Sequence, residues 1–285
     1  AAPAFFNQID DPQKGTAWID YFQETKLNTK SIVDSMVRRK HGGDSIESPV
    51  ENQVSLIWHD PDNELKVCAG IIYELNSRNL TMDESLSLAE SMGQENQYQL
   101  IQAYCGSRGS LNSLEGNRRW KPGRAFEFAV YNFDMLIDFG IMRDWKRHRL
   151  LTAMWGSLDT TLGWTVSSFI EEMDADGYYV QAMELSDRLY SALNQFYHQS
   201  AQYAVCLAYR MRFNININAR ALMFMLELRT SMQGHPSYRE VGQIMHRLVA
   251  EIDPAIAKSM SYVDYNEYSL ERAEAEKRLS KKRSQ

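Results

Sequence analysis

Cysteine is scarce in this chain. Cys68, Cys105 and Cys206 are the only three in 285 residues. They are widely separated and odd in number, which excludes a disulfide framework and gives no zinc spacing, so reduced thiols are expected. Long apolar runs are lacking too, so no membrane span is expected. A signal peptide is not visible, and the chain opens on Ala1-Ala2-Pro3 rather than methionine, as a processed chain or a piece of a longer one would. These features together point to the cytoplasm. A basic surplus is also missing. With 31 Lys and Arg against 37 Asp and Glu, the formal net charge is −6. A general nucleic-acid binder needs the opposite balance to displace counterions from phosphates, so a nucleic-acid partner is not expected. No cluster of His, Cys and acidic residues has ligand spacing, and no metal is expected.

What is present is globular. Apolar residues make up 44% and aromatics 11%, enough for a full core in a chain of this length. Residues 1–50 read as a polar helical extension. Trp18, Tyr21 and Phe22 form one amphipathic stretch, Ser31 to Arg39 a second helix, and His41-Gly42-Gly43-Asp44 a break. Val54 to Trp58 reads as a strand, Asp60 to Asn63 as a turn, and Leu65 to Tyr73 as the returning limb of a hairpin. Thr81 and Glu84 spell a capping box. A helix follows from about Glu95 to Cys105, then a glycine-rich loop over 106–123. Phe126 to Phe133 reads as a strand, and Ile137 to Arg149 as a helix entered at Asp138. A long amphipathic helix is expected over about 178–199, β structure over Val205 to Ile217, and helices after Asn218 and from Tyr238 to Ile252. The charged segment 264–285 reads as a tail. Short strands among long helices indicate an α+β fold, with an antiparallel sheet flanked by the helices over 51–263.

Basic clusters lie at Arg38-Arg39-Lys40, Arg118-Arg119-Trp120-Lys121, Lys146 to Arg149 and Lys281-Lys282-Arg283. Three of them suit a solvated surface. The third in chain order holds Arg147-His148-Arg149, followed after seven residues by Ser157. Two guanidinium forks around an imidazole suit an anionic or electron-rich planar ligand, which arginine can bind with two donors. His59, His198 and His246 read as surface or packed histidines, and Met223, Met225 and Met232 as core filler.

The order of the motifs resembles the flavin-dependent thymidylate synthase family. Phe126-Glu127-Phe128 precedes the tripeptide, and Arg143-Asp144-Trp145-Lys146 leads into it. Asn218-Ala219-Arg220, Leu226-Glu227-Leu228-Arg229 and Gly234-His235-Pro236 follow in turn. The likeness covers about residues 122–253. Trp58 to Asp62 and Gly106 to Arg124 resemble parts of longer family members that carry two such domains in tandem. This resemblance implies a homotetramer with sites between subunits, FAD as cofactor, a deoxyuridine nucleotide as substrate, and methylenetetrahydrofolate and NADPH as co-substrates. It implies cofactor contacts from Arg147, His148, Arg149, Asn218 and His235. Substrate contacts would come from Glu127, Arg143, Ser157 and Arg229, with Arg147, His148 and Ser157 nearest the chemistry.

The sequence also departs from the family pattern. Asp159 stands where the family has a phosphate-binding arginine. Asp144 replaces a glutamine, Gln202 an arginine, and Phe128 a histidine. Thr152 and Met154-Trp155 replace a serine and an Asn-Glu pair. Lost cations at phosphate-facing positions would each cost roughly 1.5–3 kcal/mol. Two functional readings therefore stand: an active nucleotide-methylating flavoenzyme, and a non-catalytic relative serving as scaffold or regulatory subunit.

Overall fold

A computed structural model describes residues 13–41, 53–111, 116–167 and 175–268, with isolated positions at 7, 11 and 170. The expectations for the Gly42-Gly43-Asp44 break and for the charged tail from residue 269 onward lie outside the described residues. The chain divides into two compact units, Ala1–Glu47 and Ser48–Gln285. In the first, α1 (Thr16–His41) is one continuous helix. It joins the two short segments that the sequence suggested separately and runs through His41.

The second unit is built on an antiparallel four-stranded sheet, ordered β1-β2-β4-β3. Its strands are β1 (Gln53–His59), β2 (Val130–Asp138), β3 (Leu151–Trp155) and β4 (Arg210–Asn218). Period-two patterning explains the central pair. Tyr131, Phe133, Met135 and Ile137 on β2 lie opposite Ile217, Ile215, Phe213 and Met211 on β4, and all eight are buried. The alternate positions Asn132, Asp134, Arg212, Asn214 and Asn216 are polar and at least partly exposed. A register slip by one residue would bury these and expose the aromatics, so the register is strongly specified.

Helices supply the rest of the core. They are α2 (Asn63–Leu75), α3 (Met82–Ser91), α4 (Gly93–Cys105), α5 (Phe139–Trp145), α6 (Asp176–Asn194) and α7 (His198–Ala201), then α8 (Ala219–Arg229), α9 (Pro236–Ile252) and α10 (Pro254–Ser259). Leu222, Met225 and Leu226 of α8 join Val241, Met245 and Val249 of α9 in the main cluster with the inward sheet residues. Each such side chain, fully buried, contributes about 1.5–3 kcal/mol. The capping box at Thr81 and Glu84 forms as the sequence indicates.

The hairpin expectation is corrected. Residues 63–75 form α2, not a returning strand. Val67, Cys68, Ala69, Gly70 and Ile71 are all buried, and a helix covered on most sides reads as a continuous apolar run, as a buried strand does. The strand expected over 126–133 starts only at Val130, because Arg124–Phe128 coil into a short 3-10 turn. The long helix ends at Asn194 rather than near 199. The β structure expected from Val205 begins at Arg210. Met232 is not core filler; it is 36% exposed, unlike Met223 and Met225.

Buried polar groups lock the packing. Asp253, between α9 and α10, accepts hydrogen bonds from Asn63 Nδ2 and Tyr131 Oη, each at 2.8 Å. Burial holds its carboxyl above the usual range. Arg108 and Glu227 form a bidentate pair at 2.8 and 2.7 Å with almost no solvent contact. Arg108 also donates to the carbonyls of Arg118, Trp120 and Ser259, so one guanidinium ties residues 118–120 to the end of α10. The three cysteines are unbonded to one another, and burial pushes the Cys68 thiol up to about 12.

Candidate functional site

Two strands run directly into helices without a loop. Asp138 ends β2 and caps α5, its Oδ1 accepting from Ile141 N at 2.8 Å. Asn218 ends β4 and caps α8, its Oδ1 accepting from Ala221 N at 2.9 Å. Short oxygen-bearing side chains suit this position because they satisfy an otherwise orphaned amide. Since β2 and β4 are antiparallel, the two junctions sit at opposite ends of the sheet.

The tripeptide does not lie on a helix as the sequence suggested. Helix α5 stops at Trp145, and Arg147, His148 and Arg149 occupy the turn that connects it to β3. The chain must reverse there to pair β3 with β4, which starts with Leu151 opposite Ile217. Strand β3 itself carried no legible signal, since Thr152, Met154 and Trp155 stay exposed on a short edge.

His148 is the half-buried member of the three, and Arg147 and Arg149 are exposed. Arg229, the last residue of α8, donates from Nε to His148 Nε2 at 3.0 Å and from Nη2 to the Asp144 carbonyl at 2.5 Å. Burial, with the Arg229 charge second, pushes the imidazole down to about 4. Arg147 pairs with the Asp144 carboxylate at 3.3 Å. Arg143 lies over the Phe139 ring at 5.9 Å. Phe224, an exposed aromatic on α8, receives the His148 ring edge-on at 5.9 Å and the Lys121 ammonium at 5.2 Å. Sequence reasoning missed Phe224. Its one signal is a large apolar side chain facing outward between the buried Met223 and Met225.

Two other expected residues, Glu127 and Asn218, lie towards the opposite end of α8. Glu127 sits on the 3-10 turn, not on a strand, and is bracketed by Arg124 and Arg220, each at 2.9 Å. Those guanidinium groups, Arg124 first, hold its carboxyl below the usual range. Asn218 lies at the far end of α8 from Arg229, about 16 Å away at 1.5 Å per residue. Ser157 follows β3 and is exposed. Asp159 is engaged in its own turn, where Oδ1 accepts from Thr161 N at 2.9 Å and Thr161 Oγ1 at 2.6 Å. Gln202 is exposed in a short 3-10 segment.

His235 caps α9, its Nδ1 accepting from Ser237 N at 3.3 Å. It lines a cleft of about 500 Å³ together with Asp138, Asp144, Tyr179, Tyr238 and Gly234. Gly234 has no room for a side chain, because a Cβ would sit 2.8 Å from the Arg229 carbonyl and 2.7 Å from Tyr238. The loop bearing His235 is thereby pressed onto the end of α8. Burial raises the Asp138 carboxyl at the cleft floor. Among the described residues no group of three or more His, Cys, Asp or Glu is placed to hold a metal ion, and no helix is long and apolar enough to cross a membrane.

Comparison with known proteins agrees with this fold. A family described as thymidylate synthase complementing protein matches residues 55–255. A UPF0159 protein of Chlamydia muridarum is 31% identical over 262 residues, covering 92% of this chain and 47% of that protein. A UPF0159 protein of Thermoplasma acidophilum is 33% identical over 174 residues, covering 60% of this chain and 35% of that protein. The chain thus spans less than half the length of these curated relatives. Among solved structures, a UMP/dUMP methylase PolB from Streptomyces cacaoi bound with 5-Br dUMP shares the fold. The TM-score is 0.55 at 17% identity, over 75% of this chain and 96% of that one.

Proposed function

Because this chain belongs to the thymidylate synthase complementing protein family, we propose that it binds FAD and a uridine nucleotide and acts in the reductive methylation of dUMP to dTMP. Methylenetetrahydrofolate would supply the carbon and NADPH the reducing power. The observation that carries this reading is the turn of Arg147, His148 and Arg149, three contiguous donors held to α8 by Arg229. The donor set suits a flavin. Its pyrimidine edge is rich in carbonyl acceptors and its diphosphate is anionic, and planar guanidinium donors match both. Asn218, Arg147, His148 and Arg149 would hold it, with His235 nearby. Bound there, the flavin supplies hydride chemistry, and the protein's part is placement and electrostatics.

Arg143 and Ser157 are the exposed groups assigned to the nucleotide. The family's sites lie between subunits, so a homotetramer, or a second homologous domain in the longer relatives, would complete the pocket. The similar PolB structure, a UMP/dUMP methylase bound with 5-Br dUMP, supports this substrate class.

The test is flavin retention. The protein is saturated with FAD, desalted and scanned in the visible range. A retained flavin spectrum is the expected result; a colourless, folded protein sinks the cofactor assignment.

A second reading has specific support. Asp144 pairs with a motif arginine, Asp159 replaces a phosphate-binding cation, and Arg229 is committed to internal bonds. Each weakens nucleotide binding, as expected of a scaffold or regulatory member that keeps the fold without turnover. Retained flavin with no measurable dUMP affinity would favour it.

A further inference from the structure

We propose that Arg229 is a positioning residue that fixes His148 as a neutral ring protonated on Nδ1, so that the turn offers one neutral hydrogen-bond donor between two cations. The proposal rests on reading this turn as the ligand site. Its argument begins with donor chemistry. A guanidinium nitrogen only donates, so the His148 Nε2 lying 3.0 Å from Arg229 Nε must accept. A neutral imidazole has one N–H, and that proton is then on Nδ1. Protonating Nε2 would set two donors against each other.

The same guanidinium makes its second bond to the Asp144 carbonyl. One rigid planar fork thereby holds both the ring and the end of α5, which a flexible ammonium cannot do in one geometry. The backbone adds a third restraint, His148 N donating to the Trp145 carbonyl at 3.0 Å.

The charges around the ring also oppose its protonation. Arg229 faces it from α8, and Lys146, Arg147 and Arg149 flank it on its own segment. Lys121 lies over the Phe224 ring that packs on it. The acidic group of the segment, Asp144, is paired with Arg147.

A consequence follows for the ligand. The group that meets His148 Nδ1 is an uncharged acceptor, such as a carbonyl or ring nitrogen of a planar heterocycle. Phosphate oxygens fall to the arginines.

The test is long-range proton–nitrogen NMR on protein labelled at histidine nitrogen, with no ligand added. His148 signals are assigned by their loss in His148→Gln. The expected spectrum shows a non-protonated Nε2 and a protonated Nδ1, with a titration midpoint near the value of about 4 that burial imposes. In Arg229→Gln the two tautomers mix and the midpoint rises by roughly one pH unit or more. Arg229→Lys keeps the charge, and its midpoint falls below that of Arg229→Gln. A proton on Nε2 in the wild type, a midpoint near 6.5, or an Arg229→Gln spectrum identical to wild type would overturn the assignment. The measurement uses ligand-free protein, so it separates from flavin retention. A colourless protein with the expected tautomer refutes the cofactor reading alone.

Discussion

The Asp144 carboxylate lies 3.3 Å from the Arg147 guanidinium, so the first arginine of the tripeptide is partly neutralised by its own chain. The pair is well exposed, which limits its strength to about 0–1 kcal/mol. A ligand using Arg147 must compete with it. Asp144→Asn removes the charge and leaves intact the backbone carbonyl that Arg229 uses. Affinity for FAD, followed by flavin fluorescence, should rise by up to about fivefold. Unchanged or weaker binding would show that Arg147 does not meet the cofactor.

Asp159 presents a negative charge at a position that the family resemblance assigns to the nucleotide phosphate, yet its side chain also shapes a turn through Thr161. Asparagine preserves the turn acceptor and removes the charge. Asp159→Asn should tighten dUMP binding by up to about tenfold, equivalent to about 1.4 kcal/mol. Calorimetric titration of wild type and variant decides the matter. Equal affinities would place the phosphate elsewhere.

The buried Arg108–Glu227 pair predicts a stability effect. Arg108→Met leaves the Glu227 carboxylate in the core without its partner and releases the loop carbonyls of Arg118 and Trp120. Removing one member of such a pair costs about 3–5 kcal/mol. Denaturant unfolding should show a lower midpoint with an unchanged slope. A loss under about 1 kcal/mol would mean that the loop and the carboxylate re-solvate freely.

Stability should also fall as the solution is acidified. His148 is held at about 4 in the folded chain against 6.5 for the free side chain. His246 is lowered as well, chiefly by burial. It bonds the Ala257 carbonyl at 3.0 Å, so its other nitrogen must accept from Tyr265 Oη. The unfolded chain takes up protons first. The contribution of a depressed imidazole is therefore complete above about pH 6.5 and is lost as pH falls towards 4. For His148 it amounts to at most about 3 kcal/mol. Unfolding free energies at about pH 7 and about pH 4.5 should diverge less in His148→Gln than in wild type. An equally steep decline in both would assign the acid sensitivity to other groups.

Much of this protein was legible before any fold was known. The aromatic-rich run from Phe126 to Phe133 and the β-rich run from Val205 to Ile217 pointed to the two central strands, which lie a few residues further along the chain at Val130–Asp138 and Arg210–Asn218. Asp138, Asn218 and Thr81 announced their helices, because a short oxygen-bearing side chain beside an apolar periodic run has few other uses. The spacing of Arg147-His148-Arg149, Asn218, Arg229 and His235 carried the family. These are local or one-dimensional properties, set by backbone geometry and by the order of residues along the chain.

Tertiary structure decided the rest. Helix α2 and a buried strand present the same apolar run, and only packing against the 3-10 turn, α3 and α4 separates them. The tripeptide left its helix because β3 had to pair with β4. Glu127 became the anchor of two arginines, and Arg229 became the clamp on a histidine 81 positions away. Such relations depend on which side chains the sheet and helices bring within about 3 Å. Hydrogen bonding and desolvation act at that range whatever the separation along the chain.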